Sequence, residues 1–165
     1  GKLSASGSDG MKFLVPLLGK TREAYLEDGI RDYAGRLRRY AALEMPLLKE
    51  RHVHGAPEER NQARQAEELL ACSNSAQLVV ALDPTGTAIS SEELATLLTR
   101  WQEQGRAEIA FLIGGHLGLH HTVLSQAGYR LSLSKMTFTH EISRLLLLEQ
   151  LYRACTIRAG HKYHI

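Results

Sequence analysis

Cysteine is scarce in this chain. Cys72 and Cys155 are the two among 165 residues, and they form no redox pair, zinc motif or disulfide framework. A reducing cytoplasm is the compartment expected. Long hydrophobic runs are missing too. The greasiest stretch, "LLLL" at 145–148, is flanked by Arg144 and Glu149, far short of the roughly 20 apolar residues that span a bilayer. No phosphate loop is present: no lysine followed by serine or threonine closes a glycine run, and "GGHLG" has the wrong spacing for a dinucleotide fingerprint. No metal constellation stands out either. His120 and His121 are adjacent, His161 and His164 are three apart, and neither pair has a thiolate or carboxylate spaced with it. Internal repeats, linkers and a second compositional regime are absent, which leaves one domain, Met11–Ile165. Before it, "GKLSASGSDG" lacks the apolar centre of a signal peptide and reads as an unstructured leader foreign to the natural protein.

Strong charge is also lacking. A net charge of +2 by itself argues for no nucleic-acid partner, although its distribution is uneven. After Glu149 every formal charge is positive, at Arg153, Arg158 and Lys162, with His161 and His164 beside them. A second basic group, Arg36, Arg38 and Arg39, ends the first helix pattern; solvated helix faces explain both groups equally well.

What is present alternates short apolar runs with helical periodicity. Strands are expected at Lys12–Leu18, Leu43–Lys49, Gln77–Asp83, Glu108–Gly115 and Tyr129–Leu133, the third stopped by the turn "PTG". Helices are expected at Arg22–Tyr40, Pro57–Ala71, Ser91–Gln104 and around His120–Gln126, with a last one after Thr139. Ser90 and Glu93 have capping-box spacing, and Thr139 suits an N-cap. This alternation implies an α/β fold: a mostly parallel sheet flanked by helices. Ligands bind such sheets outside the carboxyl ends of the strands. Three segments fall there: "LDPTG", "IGGHLGL" and "SLSKMTF". The last offers hydroxyls at Ser132, Ser134, Thr137 and Thr139, suited to a neutral hydrogen-bonding ligand, with Met136 and Phe138 to pack on a ring. For those two residues, taken singly, plain core packing is the stronger reading.

The series "LDPTG", "FLIGGHLGL", "LSLSKMTFTHEISRLLLLEQLYRA" and a tail ending in "YH" resembles the RlmH family, bacterial large-subunit (23S) ribosomal RNA methyltransferases of the SPOUT class. The match runs in order over Met11 to Ile165. The resemblance implies a deep C-terminal trefoil knot, S-adenosyl-L-methionine (SAM) as methyl donor, N3 of a pseudouridine as acceptor, and a homodimer with the site near its interface. By match, Leu82, Gly114, Leu133, Ser134, Lys135, Met136, Thr137 and Phe138 are expected to hold the cofactor. Family members often have proline where Thr139 stands, and His116 and Leu117 occupy a variable pair.

Methyl transfer to an imide nitrogen needs alignment and a way to lose the N3 proton. Tyr163 and His164 are the expected substrate-side residues, with Arg144 and Arg153 as electrostatic support and His140 as another possible base. Competing structural roles are a frayed terminus for His164, a helix cap for His140 and an ion pair with Glu149 for Arg153. The last helix, apolar at Ile142, Leu145–Leu148, Leu151, Tyr152, Cys155 and Ile157, is expected to be buried on more than one side. A second copy of the chain would cover the extra face; so would further helices of the same chain. Two other functions fit parts of the pattern. One is a knotted SAM-binding protein that recognises RNA without methylating it. The other is a nucleotide- or flavin-binding α/β protein, which the missing phosphate loop disfavours.

Overall fold

The computed structural model describes residues 10–49 and 53–163; the expected leader, apart from Gly10, and His164 lie outside the described residues. The chain order is β1 (Lys12–Leu14), β2 (Leu17–Leu18), α1 (Ala24–Leu37), β3 (Ala42–Glu44), β4 (Leu47–Leu48), α2 (Glu58–Cys72), β5 (Leu78–Ala88), α3 (Ser91–Glu103), β6 (Glu108–Leu112), α4 (His121–Gln126), β7 (Tyr129–Ser132) and α5 (His140–Ala159). Five strands form a sheet in the order β3-β1-β6-β5-β7, and every pairing is parallel.

Period-two alternation divides the sheet between two cores. Phe13, Val80, Ile109 and Phe111 face a layer of α1, α3 and α5, whereas Leu14, Ala81, Ala110 and Leu112 face α2 and α4. Phe13 and Phe111 meet edge to face at 5.8 Å, a geometry worth about 1 kcal/mol beyond area burial. Both faces are therefore covered, and the strands read as near-continuous apolar runs.

Two expected strands are broken by proline. Pro16 and Pro46 each lack the N–H that a ladder needs. The chain leaves the sheet there and resumes as a small parallel pair, Leu17↔Leu47 and Leu18↔Leu48. A third expectation is corrected at "PTG", which does not stop β5. Pairing with β7 continues to Ala88, and Leu131 lies opposite both Leu82 and Thr87, so residues 83–86 bulge outward. Gly86 is obligatory at the rejoining point, since a Cβ there would lie 2.7 Å from the Arg130 carbonyl carbon.

The helix ends carry the expected caps. Ser90 and Glu93 form a reciprocal capping box on α3, and Thr139 accepts the Ile142 N–H on α5. At the far end of α5, Gly160 takes φ 72°, and His161 and Gly160 donate to the Thr156 and Ile157 carbonyls, a Schellman turn. The first turn of α1 is capped from a distance. Glu23 supplies no side-chain cap, and Glu141 of α5 instead accepts the Arg22 and Glu23 N–H groups at 2.9 and 3.3 Å.

Helix α5 packs between α1 and α3 above the sheet. Gly29 lets α1 approach closely: a Cβ would lie 3.1 Å from a Leu145 methyl. Most of the apolar surface of α5 is thus used inside its own chain, which was the second of the two explanations for its pattern. Ile142, Leu145 and Leu146 stay half-buried.

Candidate functional site

Because all strands run one way, their carboxyl ends share an edge. A cavity of about 690 Å³ opens there. Its walls come from three stretches: Leu82, Asp83 and Pro84 where the bulge in β5 begins, Ile113–His116 with Gly118 and Leu119 after β6, and eight residues between Leu133 and Ser143 after β7. Leu82, Gly114, Leu133, Ser134, Met136, Thr137 and Phe138 all line it, so seven of the eight expected residues meet around one space. Lys135 does not line it and is exposed to solvent. Met136 is 74% exposed at the mouth.

Each wall is fixed locally. Asp83 accepts the Thr85 hydroxyl at 2.7 Å and its N–H at 3.3 Å, which shapes the bulge. The buried Ser132 hydroxyl lies within hydrogen-bond distance of both the Pro84 and Ser134 carbonyls, at 3.2 and 2.9 Å, and ties the first wall to the third. Ser134 Oγ in turn accepts the Met136 N–H at 3.0 Å. Much of the hydroxyl density in "LSLSKMTFTH" therefore shapes the loop, while Thr137 and Thr139 line the cavity. In the glycine loop, Gly114 passes so close to residue 118 that a Cβ would sit 2.4 Å from the Gly118 carbonyl carbon. Gly118 adopts φ 78° and donates its N–H to the Gly115 carbonyl.

A support was not visible in the sequence. Helix α2 holds the glycine loop from behind: Gln62 donates to the Leu117 carbonyl at 2.8 Å, and Glu59 contacts His120 Nε2 at 3.1 Å. His120 Nδ1 accepts the Thr122 N–H, so the ring proton sits on Nε2 and points to Glu59. Sequence reading also missed Asp83, Leu124 and Ser143 as lining residues. Asp83 stood in a motif already noted, whereas Leu124 and Ser143 belong to helices that reach the cavity only through the fold.

Of the expected catalytic residues, Arg144, Arg153 and Tyr163 do not line the cavity. Arg144 is 2% exposed and donates to Thr21 Oγ1 and the Leu18 carbonyl, each at 2.8 Å, clamping α5 to the segment that enters α1. Arg153 pairs with Glu149 at 2.7 Å and lies 4.7 Å from the centroid of the Tyr163 ring. Tyr163 donates its hydroxyl to Glu149 at 2.9 Å, so the 3.0 Å contact with Tyr33 has Tyr33 as donor. Burial first, then the bonds to Tyr33 and Glu149, hold the Tyr163 phenol above its ordinary value and keep it protonated. Arg153 is ten residues along α5 from the cavity-lining Ser143, about 15 Å at the helical rise. His140, the first residue of α5, does line the cavity.

Among the described residues, no group of three or more His, Cys, Asp or Glu side chains could hold a metal ion. No helix among them is long and apolar enough to cross a membrane.

Residues 11–164 match the family model described as predicted SPOUT methyltransferase. The chain is 46% identical over 154 residues to ribosomal RNA large subunit methyltransferase H of Desulfotalea psychrophila, covering 93% of this chain and 99% of that protein. It is 39% identical over 158 residues to the protein of that name from Acetivibrio thermocellus, with the same coverage. Two solved structures are alike in fold at TM-score 0.56. A probable methylase family protein from Haemophilus influenzae is 13% identical, covering 94% of this chain and 70% of that one. A probable methyltransferase from Bordetella pertussis is 14% identical, covering 91% and 99%. The order of the three wall motifs, the parallel sheet that gathers them and these full-length matches agree that the chain belongs to the SPOUT methyltransferase family, with ribosomal RNA large subunit methyltransferase H.

Proposed function

We propose that this chain transfers a methyl group from S-adenosyl-L-methionine to N3 of a pseudouridine in large-subunit (23S) ribosomal RNA, in the cytoplasm. The observation that carries this reading is the shared cavity: Leu82, Gly114 and Met136, 54 residues apart from first to last, line one space of about 690 Å³. That size is ordinary for a small-molecule site, and the lining suits a nucleoside with an amino-acid tail. Leu82, Leu133, Met136 and Phe138 supply apolar contact; the loop backbone, Ser134 and Thr137 supply polar groups. When bound, the cofactor supplies a methyl group already activated on a sulfonium. The chain's own task is then alignment and proton removal. His140, which lines the cavity, takes the N3 proton. Arg144 acts through α5, by holding the helix end that carries Thr139, His140 and Ser143 against the Leu18–Thr21 segment.

Tyr163 and His164 from the tail, with Arg153 from α5, work on the substrate side. Within one chain Arg153 is about 15 Å along α5 from Ser143, and Glu149, which holds Tyr163, about 9 Å; in a homodimer the tail of one subunit serves the cavity of the other. Domain Met11–Ile165 carries the whole site. Its last segment threads a loop as a trefoil knot. Pairing of β7 with β5 on both sides of the 83–86 bulge, and the Ser132 bond to Pro84, support that course. The two basic groups support RNA as the partner, because Tyr40 and His161, 2.6 Å apart, bring the Arg38–Arg39 end of α1 beside Lys162. These three cations are exposed and can neutralise phosphates.

The test is incubation with SAM and ribosomes from a strain lacking this modification, followed by mapping of methylated residues. One new N3-methyl pseudouridine in the large-subunit RNA is expected. Tight SAM binding without methylation would make the protein a recognition module instead. Calorimetry should give a Kd in the tens of micromolar or tighter, about −6 kcal/mol or better; no heat and no competition by S-adenosylhomocysteine would refute the cofactor. A stable monomer in sedimentation at micromolar concentration would refute the dimer.

A further inference from the structure

Beyond Gly160 the described chain leaves helical hydrogen bonding. Past the His161 N–H bond to the Thr156 carbonyl, the described residues add one backbone bond, Tyr163 N–H to the His161 carbonyl. Its path is therefore set by side chains from two other places in the sequence. Tyr40, just past α1, contacts His161 Nδ1 at 2.6 Å, and Tyr33 of α1 donates to the Tyr163 hydroxyl at 3.0 Å. Glu149 of α5 accepts from both Tyr163 and Arg153 on the same oxygen, Oε2. The Tyr152 ring meets Tyr163 edge-on at 4.7 Å, and Arg36 lies over Tyr33 and Tyr152 at 5.1 and 5.8 Å. Helices α1 and α5 run alongside each other in the same direction, as Glu141 meets Arg22 at one end and Tyr152 meets Tyr40 at the other. After the Gly160 turn the tail doubles back along them, since Tyr163 reaches Glu149, eleven residues before Gly160 on α5.

We infer that Tyr33, Tyr40 and Glu149 are positioning residues of the methyl transfer: they seat the tail so that Tyr163 and its neighbours meet the RNA in one fixed arrangement. This rests on the reading that the tail acts on the substrate side. Packing of α1 on α5 does not depend on these hydroxyls, because Ile30, Ala34, Leu37, Leu148 and Leu151 are buried in the core those helices share. Each tyrosine hydroxyl can therefore be removed with its ring left in place. A hydrogen bond that orders residues 161–163 should matter to turnover and hardly at all to SAM affinity or folding.

Tyr33→Phe and Tyr40→Phe should each lower kcat on hypomethylated ribosomes about fivefold, the factor expected of one net hydrogen bond. The Kd for SAM and the melting temperature should not change. Glu149→Gln, which retains an acceptor but releases Arg153, should lower kcat at least as much. A double-mutant cycle separates positioning from general damage. In a Tyr163→Phe background, Tyr33→Phe should add no further loss. Equal loss in both backgrounds, or full kcat in both tyrosine variants, would overturn the inference. Trimming the chain after Gly160 tests the underlying reading separately. If the trimmed chain methylates normally the tail reading itself fails; if it is inactive while Tyr33→Phe and Tyr40→Phe are fully active, only the positioning role fails.

Discussion

Gly114 permits a quantitative prediction. A Cβ built there lies 2.4 Å from the Gly118 carbonyl carbon, 2.7 Å from its oxygen and 2.7 Å from the Leu119 nitrogen, where ordinary contact begins at 3.4 Å. All three are backbone atoms, so no side chain can rotate away. The facing strand of the loop must move by about 1 Å, and it is not free to do so. Gln62 holds the Leu117 carbonyl at 2.8 Å, and His120 is pinned by Glu59. Gly114→Ala should therefore cost about 1–3 kcal/mol of overpacking. A stretched Gln62 bond adds about 1 kcal/mol. For a domain of this size the sum lowers the melting temperature by about 10 °C. A 1 Å shift of one wall should also weaken SAM binding by about tenfold or more, measurable by titration calorimetry alongside thermal unfolding. Gly35 is the control: nothing lies within 4 Å of its Cβ position, and it sits inside α1, so Gly35→Ala should stabilise by about 0.5–1 kcal/mol. If Gly114→Ala matched the unchanged protein in both melting temperature and SAM affinity, the argument from loop crowding would be wrong.

Two further predictions concern the junction between α1 and α5. Arg144→Ala removes two charge-assisted hydrogen bonds and leaves the Leu18 carbonyl without that donor; urea unfolding should show a loss of about 2–4 kcal/mol, whereas Arg38→Ala on the exposed end of α1 should change stability by less than about 0.5 kcal/mol. Glu141 carries the pH dependence: burial alone would raise its carboxyl, but the Glu23 and Arg22 N–H groups, with His140 and Arg144 nearby, bring it below the usual range. A folded-state value below the unfolded one, about 4.3, contributes stability that is complete above that pH and is lost as pH falls through the folded value. Glu141→Gln should therefore be less stable at neutral pH and show a shallower acid decline in denaturant titrations; an unchanged slope below about pH 4.3 would refute this assignment.

The parts of the fold governed by local rules were legible in the sequence. Alternating apolar runs gave the strands, and Ser90, Glu93 and Thr139 announced helix starts that the side-chain bonds confirm. The errors occur where distant segments override local chemistry. "PTG" carries strong turn residues, yet β7 re-pairs with β5 beyond it, and only a partner some 45 residues away could reveal that. Pro16 and Pro46 were noted as limits on their strands; that they break both at matching positions, creating a second small sheet, depends on register. At the site, the strand-end rule located three loops and family resemblance selected residues within them. Lys135 was included because the loop was taken whole, but it faces solvent. The supports from Glu59, Gln62, Tyr33 and Tyr40 had no signal, since they reach partners 55 to 130 residues away and none belongs to a motif.

The cavity takes its walls from three stretches of chain, and the last of them, Leu133 to Ser143, runs directly into the final helix. During synthesis the first wall is made 49 residues before the third, and the second 14 residues before it. The central strands β1, β5 and β6 are made before the third wall, but the cavity lacks that side until the chain has been made through Ser143. A copy that stops short of Leu133 therefore lacks one wall of the cavity.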